Sequence, residues 1–155
     1  MATVALTNAN VVTFIKTDPL HVGFAAILTA DPGQDAPLVA AANNASGPGS
    51  GTVAGDAITS QALFDLVDAT EYAAMTSAQL QSLQNFLTLQ NVDMGSSASQ
   101  LKLNNLFANY SKSLVAIQAA YTRPAGPFEV YFGKGNVCTA AILDAARNSG
   151  SGNNF

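Results

Sequence analysis

The pattern of polar and apolar positions is clearest over residues 59–90, where it predicts three short helices in close succession. Asp68 is a capping residue, and Glu71 follows it by three positions. Thr76 and Gln79 repeat this spacing eight residues later. In such a capping box each side chain accepts a hydrogen bond from the backbone N–H of the other residue, which begins a helix. We therefore expect one helical turn after Asp68 and a full helix after Thr76.

The apolar residues of the same stretch lie at helical spacing. Thr59 is expected to cap a short helix that carries Leu63 on its inward face. The helix that begins after Thr76 places three leucines on one face and glutamines largely outside. These leucines are Leu80, Leu83 and Leu87. The pattern indicates a compact helical unit and contains no chemistry of its own.

A second apolar stripe predicts one long helix near residues 98–121. Its apolar residues recur every three or four positions, as on the buried face of an amphipathic helix. They are Leu103, Leu106, Phe107, Tyr110, Leu114, Ile117 and Tyr121. Ser111 and Ser113 lie near the middle, where they favour a bend or a break. Pro124 ends the helix because proline lacks an N–H and restricts the residue before it.

Prolines predict two further helices before the glycine-rich region. Thr17-Asp18-Pro19 places proline at the first helical position, where its missing N–H costs nothing, and predicts a helix through Leu28. Asp35-Ala36-Pro37 repeats this arrangement and predicts an alanine-rich helix that ends at Asn43.

Single capping residues predict the remaining elements. Asn8 or Asn10 is expected to cap a helix near the start, and Thr139 caps the last one. The aromatic segment 128–135 is consistent either with a short strand or with one more helical turn.

The predicted fold class is therefore all-α: a compact bundle of about six to eight short helices plus the long helix near 98–121. The 155 residues suit a single helical domain, 1–155. Residues 44–55 are rich in glycine and predict an exposed loop or arm, with at most a minor β-hairpin near residues 52–54. Residues 148–155 form a polar tail.

Composition changes the picture because the charged fraction is only 10%, where about 25% is usual. The surface must be covered largely by neutral polar and small residues. Such groups lose water at much lower cost than ions do. This favours a surface that neighbouring subunits cover in an assembly over that of a free monomer.

The net charge of −4 is unevenly distributed, with −7 over residues 1–100 and +3 over residues 101–155. Opposite charges on the two parts favour either head-to-tail contact between copies or pairing within one chain. The few basic residues do not predict nucleic-acid binding. The first residues lack a secretory pattern, and no segment reaches the roughly 20 apolar residues of a membrane span.

The candidate chemical residues are isolated in sequence. His21 follows Asp18 by three positions on the predicted helix, and a partly buried structural role is favoured for it. Cys138 is the single cysteine, and a buried, unreactive thiol is favoured. Gly133-Lys134-Gly135 lacks the spacing of a phosphate-binding loop and predicts a turn. We therefore predict no catalytic residue, no metal ligand, no cofactor and no enzymatic activity.

Four aromatic residues are the candidate interface positions. Phe128, Tyr131 and Phe132 are consistent either with interface anchors or with core packing. Phe155 follows a polar segment, which favours an anchoring role. That anchor is expected on a partner chain or, by folding back, on its own domain.

Three stretches carry a family resemblance. They are Thr17-Asp18-Pro19-Leu20 with Gly23-Phe24-Ala25, then Leu63-Phe64-Asp65-Leu66-Val67-Asp68-Ala69-Thr70-Glu71-Tyr72, and the aromatic–glycine turn before Val137. The chain resembles small helical proteins from the structural gene modules of tailed bacteriophages. Those relatives often show Asp-Pro-Leu followed by Gly-Tyr-Ala, and an Asp-x-Thr-Glu-Phe/Tyr box before a capped helix. This chain departs from them at Phe24 and in the glycine-rich segment 44–55.

The resemblance implies a virion component of the neck, the head–tail connection or the tail, present in repeated copies. Its partners would be copies of itself and other virion proteins, without sequence-specific nucleic-acid contact and without a membrane. It would be made in the host cytoplasm and be located in the virion. The alternative is a non-viral helical adaptor that binds one partner in a groove, and an enzyme is the third hypothesis.

Overall fold

The computed structural model describes residues 2–150 and 154–155. That part of the chain contains ten helices and four short strands, which confirms the mainly helical class. In chain order they are α1 (Asn8–Thr17), α2 (Phe24–Ala30), α3 (Asp35–Asn43), β1 (Gly51–Ala54), β2 (Ala57–Thr59), α4 (Ser60–Asp65), α5 (Ala69–Ala74), α6 (Ser77–Leu87), β3 (Asn91–Asp93), α7 (Ser97–Leu106), α8 (Ser111–Ala119), β4 (Thr122–Ala125), α9 (Pro127–Phe132) and α10 (Ala140–Arg147).

The chain divides into two compact units. Unit 1 comprises Met1–Val53 and Pro124–Phe155, and unit 2 comprises Ala54–Arg123. Both boundaries fall within β1 and β4, which pair with each other in a two-stranded sheet. The sequence gives no sign of this division because the boundaries lie in paired strands and not in a linker. The single domain over residues 1–155 stays a prediction.

The core of unit 1 is built around one phenylalanine of α1. The Phe14 ring centroid lies 5.1 Å from that of Phe24 and 5.6 Å from that of Phe128. It also lies 5.1 Å from the Tyr131 ring and 5.5 Å from the Phe132 ring. Edge-to-face aromatic pairs add about 0.5–1.5 kcal/mol each beyond the area that they bury. Helices from the two separate stretches of unit 1 therefore meet on Phe14.

The turn after α1 differs from the predicted helix start at Thr17-Asp18-Pro19. The helix ends at Thr17, and Asp18 has a left-handed conformation with φ of 46°. The Asp18 carboxylate accepts hydrogen bonds from the N–H groups of Val22 and Gly23, both at 2.7 Å. Residues 18–23 are thus a loop folded around that carboxylate, and α2 begins only at Phe24. Proline here marks a turn because the Asp18 carboxylate closes a loop by accepting from the Val22 and Gly23 N–H groups, instead of capping a helix that begins at Pro19.

The core of unit 2 is largely aliphatic. Its buried side chains come from α4, α6, α7, α8 and the strand β3, and from the residues that directly follow α5, β3 and α7. Phe107 is the aromatic residue among them. These buried residues are Leu63, Met75, Leu83, Val92, Met94, Leu103, Phe107 and Ile117. β2 pairs antiparallel with β3, with Ile58 opposite Val92, so three helices separate the paired strands in sequence. The local β-hairpin considered near residues 52–54 is therefore absent from this part of the chain.

Two of the predicted helix starts in unit 2 are confirmed with all of the expected capping bonds. Thr59 caps α4 by accepting a hydrogen bond from the Ala62 N–H at 3.1 Å. Thr76 and Gln79 form the complete capping box at the start of α6, with bonds of 2.9 and 3.3 Å.

The box at Asp68 is only half formed. Asp68 accepts from the N–H groups of Thr70 and Glu71, as expected. The Glu71 carboxylate, however, does not return to the Asp68 N–H. It accepts from the N–H groups of Lys112 (2.9 Å) and Ser113 (2.8 Å) and so caps α8 from a distant part of the chain. The helix start predicted at Asp68 is therefore confirmed, since α5 begins at Ala69. The expected return bond from Glu71 is wrong, because a second helix start competes for the same carboxylate.

The same contact explains why the long helix predicted near 98–121 is wrong. The structure has two helices there, α7 and α8, separated by residues 107–110. The N–H groups at the start of α8 are satisfied by Glu71, so the break leaves them paired. Tyr110 at the break donates from its hydroxyl to Gln79 Oε1 at 2.5 Å. Apolar spacing continues across the break, which is why periodicity alone indicated one helix.

The glycine-rich segment is partly regular structure. Residues 44–50 are turns, but β1 begins at Gly51. Gly55 is buried, and its N–H donates to the Tyr121 carbonyl at 2.7 Å. A Cβ at this position would lie 2.0 Å from the Ala120 carbonyl oxygen, so only glycine fits. Glycine is needed at this position because the backbone of Ala120 approaches it closely, and not because the segment must be flexible.

Candidate functional site

A groove of about 740 Å³ lies between α6 and α7, within unit 2. Its lining residues are Ala78, Gln79, Ser82, Asn85, Phe86, Leu89, Lys102, Asn105 and Leu106. Among the described residues that line it, Lys102 alone carries a charge. The other side chains are amides, hydroxyls or apolar groups, which lose water at low cost. The groove therefore suits contact with a segment of another protein.

The α6 wall is held in place by the capping box at its start. Gln79 bonds to the Thr76 backbone and also accepts from the Tyr110 hydroxyl, so its side chain is fixed at the groove edge. Further along, Phe86 is half-buried, while Leu89 is 49% exposed. Leu83, on another face of the same helix, is buried in the core. Helical periodicity thus divides α6 into a core face and a groove face.

The α7 wall follows the same rule. Leu103 is fully buried, whereas Lys102, Asn105 and Leu106 line the groove at helical spacing. Leu101 is 62% exposed on this helix. Amides can donate and accept hydrogen bonds, and leucine and phenylalanine provide apolar area. Lys102 is the titratable side chain among the described residues that line the groove, and the other lining residues offer amides, hydroxyls and apolar area.

A second exposed apolar feature of unit 2 lies on α4 and α5. The rings of Phe64 and Tyr72 are edge to face at 5.4 Å and are 37% and 39% exposed. Phe64 also borders a smaller depression of about 240 Å³ with Ser60, Gln61 and Leu87. Isolated exposed apolar side chains are ordinary, whereas two aromatic rings in contact present a larger continuous area.

The buried polar cluster of unit 2 was missed in the sequence. The Ser113 hydroxyl is fully buried; it donates to Glu71 Oε2 at 2.6 Å and accepts from the Asp68 N–H at 2.9 Å. Desolvation by itself raises the pKa of Glu71, but the hydrogen bonds from Ser113 and Lys112 and the charge of Lys112 leave it below its ordinary value. The hydroxyl has no exposed surface for a substrate, so the cluster positions α8. The spacing of Glu71 from Asp68 was the signal available in the sequence, but the bonding partner of Glu71, Ser113, lies 42 positions away.

His21 and Asp18 do not form a catalytic pair. His21 is exposed, in the loop before α2, with φ of 56°, so the expected partly buried position on a helix is wrong. Both Asp18 oxygens accept from backbone N–H groups, and this fixes the loop. The histidine is carried on this loop because Asp18 ends α1 instead of beginning a helix.

Cys138 is buried in the core of unit 1, as the sequence favoured. Burial, with a smaller contribution from the Asp35 charge, raises the pKa of its thiol to about 12. The Asn43 side chain donates to the Cys138 carbonyl at 2.8 Å and accepts from the Cys138 N–H at 2.9 Å. A protonated, inaccessible thiol is a poor nucleophile. This segment therefore has a packing role.

Gly133-Lys134-Gly135 forms a turn after α9. Both glycines have positive φ, 102° and 89°. The Gly135 N–H donates to the Glu129 carboxylate at 2.7 Å, where a phosphate-binding loop would present that N–H to the anion. The turn prediction therefore agrees with the geometry.

The four candidate interface residues all belong to unit 1 and differ in exposure. Phe128 and Phe132 lie on α9 and are 0% and 4% exposed, so in the single chain they are core residues. Tyr131 is half-buried, and its carbonyl accepts from the Val4 N–H at 3.0 Å. Phe155 is half-buried against the same core. The interface role stays a prediction, and Tyr131 and Phe155 are the two with accessible surface.

The polar tail was predicted over residues 148–155, of which residues 151–153 lie outside the part of the chain that the structure describes. Asn154 and Phe155 fold back onto α10 and contact its last residues. The sequence left open whether Phe155 is anchored on a partner chain or on its own domain. In this structure Phe155 packs on its own unit.

The described residues offer neither a metal cluster nor a membrane-spanning helix. No three or more histidine, cysteine, aspartate or glutamate side chains there converge well enough to hold a metal ion. No helix there has the length and hydrophobicity to cross a membrane.

Comparison of the chain with protein-family models, with curated proteins and with solved structures found no match.

Proposed function

We propose that this protein is a structural subunit that acts through protein–protein contacts in a multi-copy assembly. The observation that carries the proposal is the nearly uncharged groove between α6 and α7, bordered by the exposed Leu89. Covering such a surface removes little ionic solvation and buries apolar area at about 25 cal/mol per Å². The low charged fraction of the whole chain, 10%, supports the same reading.

The assembly we propose is the neck, head–tail connection or tail of a tailed bacteriophage. This part rests on the Asp-Pro-Leu and Asp-x-Thr-Glu-Tyr motifs of the chain and on their resemblance to phage structural proteins. In this role the protein would have no enzymatic activity, and its partners would be its own copies and other virion proteins.

Native mass spectrometry of the purified protein tests the assembly. We expect masses at a defined multiple of 15.9 kDa across a range of concentrations. Leu89→Glu should shift this population toward monomer because it places an unpaired charge at the contact. Val137→Glu, at a similarly exposed site in unit 1, is the matched control and should keep the multiple. A monomer at every concentration would overturn the assembly.

The phage assignment has a separate test. Mass spectrometry of purified particles should detect the chain at a stoichiometry of several copies per particle. Its absence from particles, with an oligomer in solution, would reject the virion location and keep the assembly.

The groove also favours a second candidate, a helical adaptor that binds one partner segment. An amphipathic helix laid into a groove is a common recognition mode, and the groove's amide side chains would bond to its polar edge. This function predicts a monomer and a 1:1 complex, so the same native masses distinguish it from the first.

A further inference from the structure

The C-terminal end of α10 forms a polar site around Arg147. The guanidinium forms an ion pair through Nη2 with Asp35 Oδ1, and its Nε donates to the Phe155 carbonyl at 3.1 Å. It also lies 5.1 Å from the centroid of the Phe155 ring, which is cation–π geometry. The two charged side chains are only 14% and 21% exposed, so water screens these contacts weakly.

Asn154 is bound to the same end of the helix. Its backbone N–H donates to the Arg147 carbonyl at 2.8 Å. The two N–H bonds of its side-chain amide are shared among the carbonyls of Ala146 (2.9 Å), Arg147 (3.2 Å) and Ser149 (3.0 Å). The last carbonyls of a helix have no partner within it. Here Asn154 satisfies the Arg147 carbonyl, and it shares the Ala146 carbonyl with the N–H and hydroxyl of Ser149.

The Phe155 ring completes the site. It packs against the buried core of unit 1 on one side while Arg147 lies over its face. The backbone of Asn154–Phe155, the Asn154 amide and the Phe155 ring are therefore all contacted by the site. A contact set of this kind is selective for asparagine followed by an aromatic residue, because alanine at either position loses the amide or ring contacts.

We propose that this site, formed by Asp35, the end of α10 and Arg147, is a recognition site for an Asn–Phe segment, and that it also binds Asn154–Phe155 of a second copy. Copies have identical sequences, so the segment of a neighbour offers the same chemistry as the chain's own. In the free chain the cis segment has an effective concentration on the order of mM and prevails. Subunits held side by side bring the neighbour's segment to a comparable concentration. This exchange of Asn154–Phe155 between copies rests on the proposed multi-copy function, whereas binding of the segment at the site does not.

A peptide experiment tests the site by itself. The full chain with Asn154→Ala and Phe155→Ala vacates it, and the probe is a fluorescent peptide of residues 148–155 with a C-terminal amide. We expect saturable binding by fluorescence anisotropy, and at least about tenfold weaker binding to the unaltered chain, whose own segment competes. A peptide with alanine at its last two positions is the control and should not bind.

A third variant adds Arg147→Lys to the vacated chain. Lysine keeps the charge but loses the planar fork that bonds to Asp35 and to the peptide carbonyl, so binding should weaken several-fold. Circular dichroism is used to check that each variant is folded. No saturable binding by the folded vacated chain, or equal binding of the alanine peptide, would overturn the site.

The exchange between copies has its own readout. A photoreactive phenylalanine analogue at position 155 should give crosslinks to α10 within one chain in dilute solution and between chains in the oligomer. Crosslinks that stay within one chain in a proven oligomer would overturn the exchange. If the chain remains monomeric but binds the peptide, the proposed function fails and the site stands.

Discussion

The two units of this protein build their cores in different ways. Unit 1 joins two separate stretches of the chain around a cluster of phenylalanines, with Phe14 in contact with four other rings. Unit 2 is one continuous stretch whose buried residues are mostly leucine, isoleucine, valine and methionine. The first core depends on non-local contacts and the second on successive helices.

Their polar contacts differ in the same way. In unit 1 the Asn43 amide bonds to the backbone of Cys138 across 95 positions, and Arg147 pairs with Asp35 across 112. In unit 2 the caps of α4, α5 and α6 use side chains within three positions of the N–H groups that they satisfy. Unit 2 therefore contains more structure that a local sequence pattern can specify.

The largest expected effect comes from disrupting the aromatic core of unit 1. Phe14→Ala removes a fully buried ring and its four ring contacts, and should destabilise unit 1 by about 3–5 kcal/mol. Hydrogen exchange of the amides of α1 and α9 measures the loss of protection. Phe14→Leu, which keeps most of the volume, is the control and should cost clearly less. A loss below about 1 kcal/mol for alanine would contradict a core centred on this ring.

The next effect concerns the non-local cap that Glu71 provides to α8 in unit 2. Ser113→Ala leaves the Asp68 N–H without its hydroxyl acceptor and removes a bond to Glu71, which should cost about 1–3 kcal/mol. Urea unfolding followed by circular dichroism gives the free energy of unfolding. The exposed Ser111→Ala, two positions earlier, should stay within about 0.5 kcal/mol of the unaltered protein. Equal effects at both serines would remove the special role of the buried hydroxyl.

A smaller effect tests the local caps. Thr76→Ala breaks the capping box of α6 and should cost about 1 kcal/mol in the free energy of unfolding. Ser96 precedes α7 but makes no side-chain capping bond, so Ser96→Ala is a matched control expected to cost about 0.5 kcal/mol or less. If the two substitutions cost the same, the hydrogen bond of Thr76 is not what stabilises the start of the helix.

The smallest expected effect is in the dependence of stability on pH. Because the pKa of Glu71 in the folded chain lies below its ordinary value of 4.5, its contribution to stability is present above that pH. The contribution is lost as the pH falls from about 4.5 through the lowered folded pKa. Glu71→Gln should therefore give a shallower loss of unfolding free energy on acidification.

Unfolding free energies measured between neutral pH and strong acid check this. Ser111→Ala alters the same helix start without removing the carboxylate, so its profile should keep the slope of the unaltered protein. Parallel profiles for Glu71→Gln and the unaltered protein would show that this carboxylate is not bonded as described.

Sequence patterns recovered the parts of the fold that depend on neighbours in the chain. Thr59, Thr76 and Thr139 were each identified as caps, and each accepts the expected bond. The groove itself was not predicted, because its two walls come from separate helices whose approach depends on tertiary packing. The helix start predicted at Thr17-Asp18-Pro19 was wrong for a related reason. The Asp18 carboxylate accepts from N–H groups of a loop, and the spacing of capping residues does not predict the conformation of that loop.

By itself, then, the sequence determined the helical class, most helix starts and a surface poor in charge, because caps, apolar periodicity and composition act over a few residues. Only the tertiary structure decided that Glu71 caps α8, that the stripe near 98–121 is two helices, and that Phe155 folds back onto α10. In each of these cases one polar or aromatic group had several possible partners. The choice fell to the partner that three-dimensional packing brought within hydrogen-bonding or van der Waals distance.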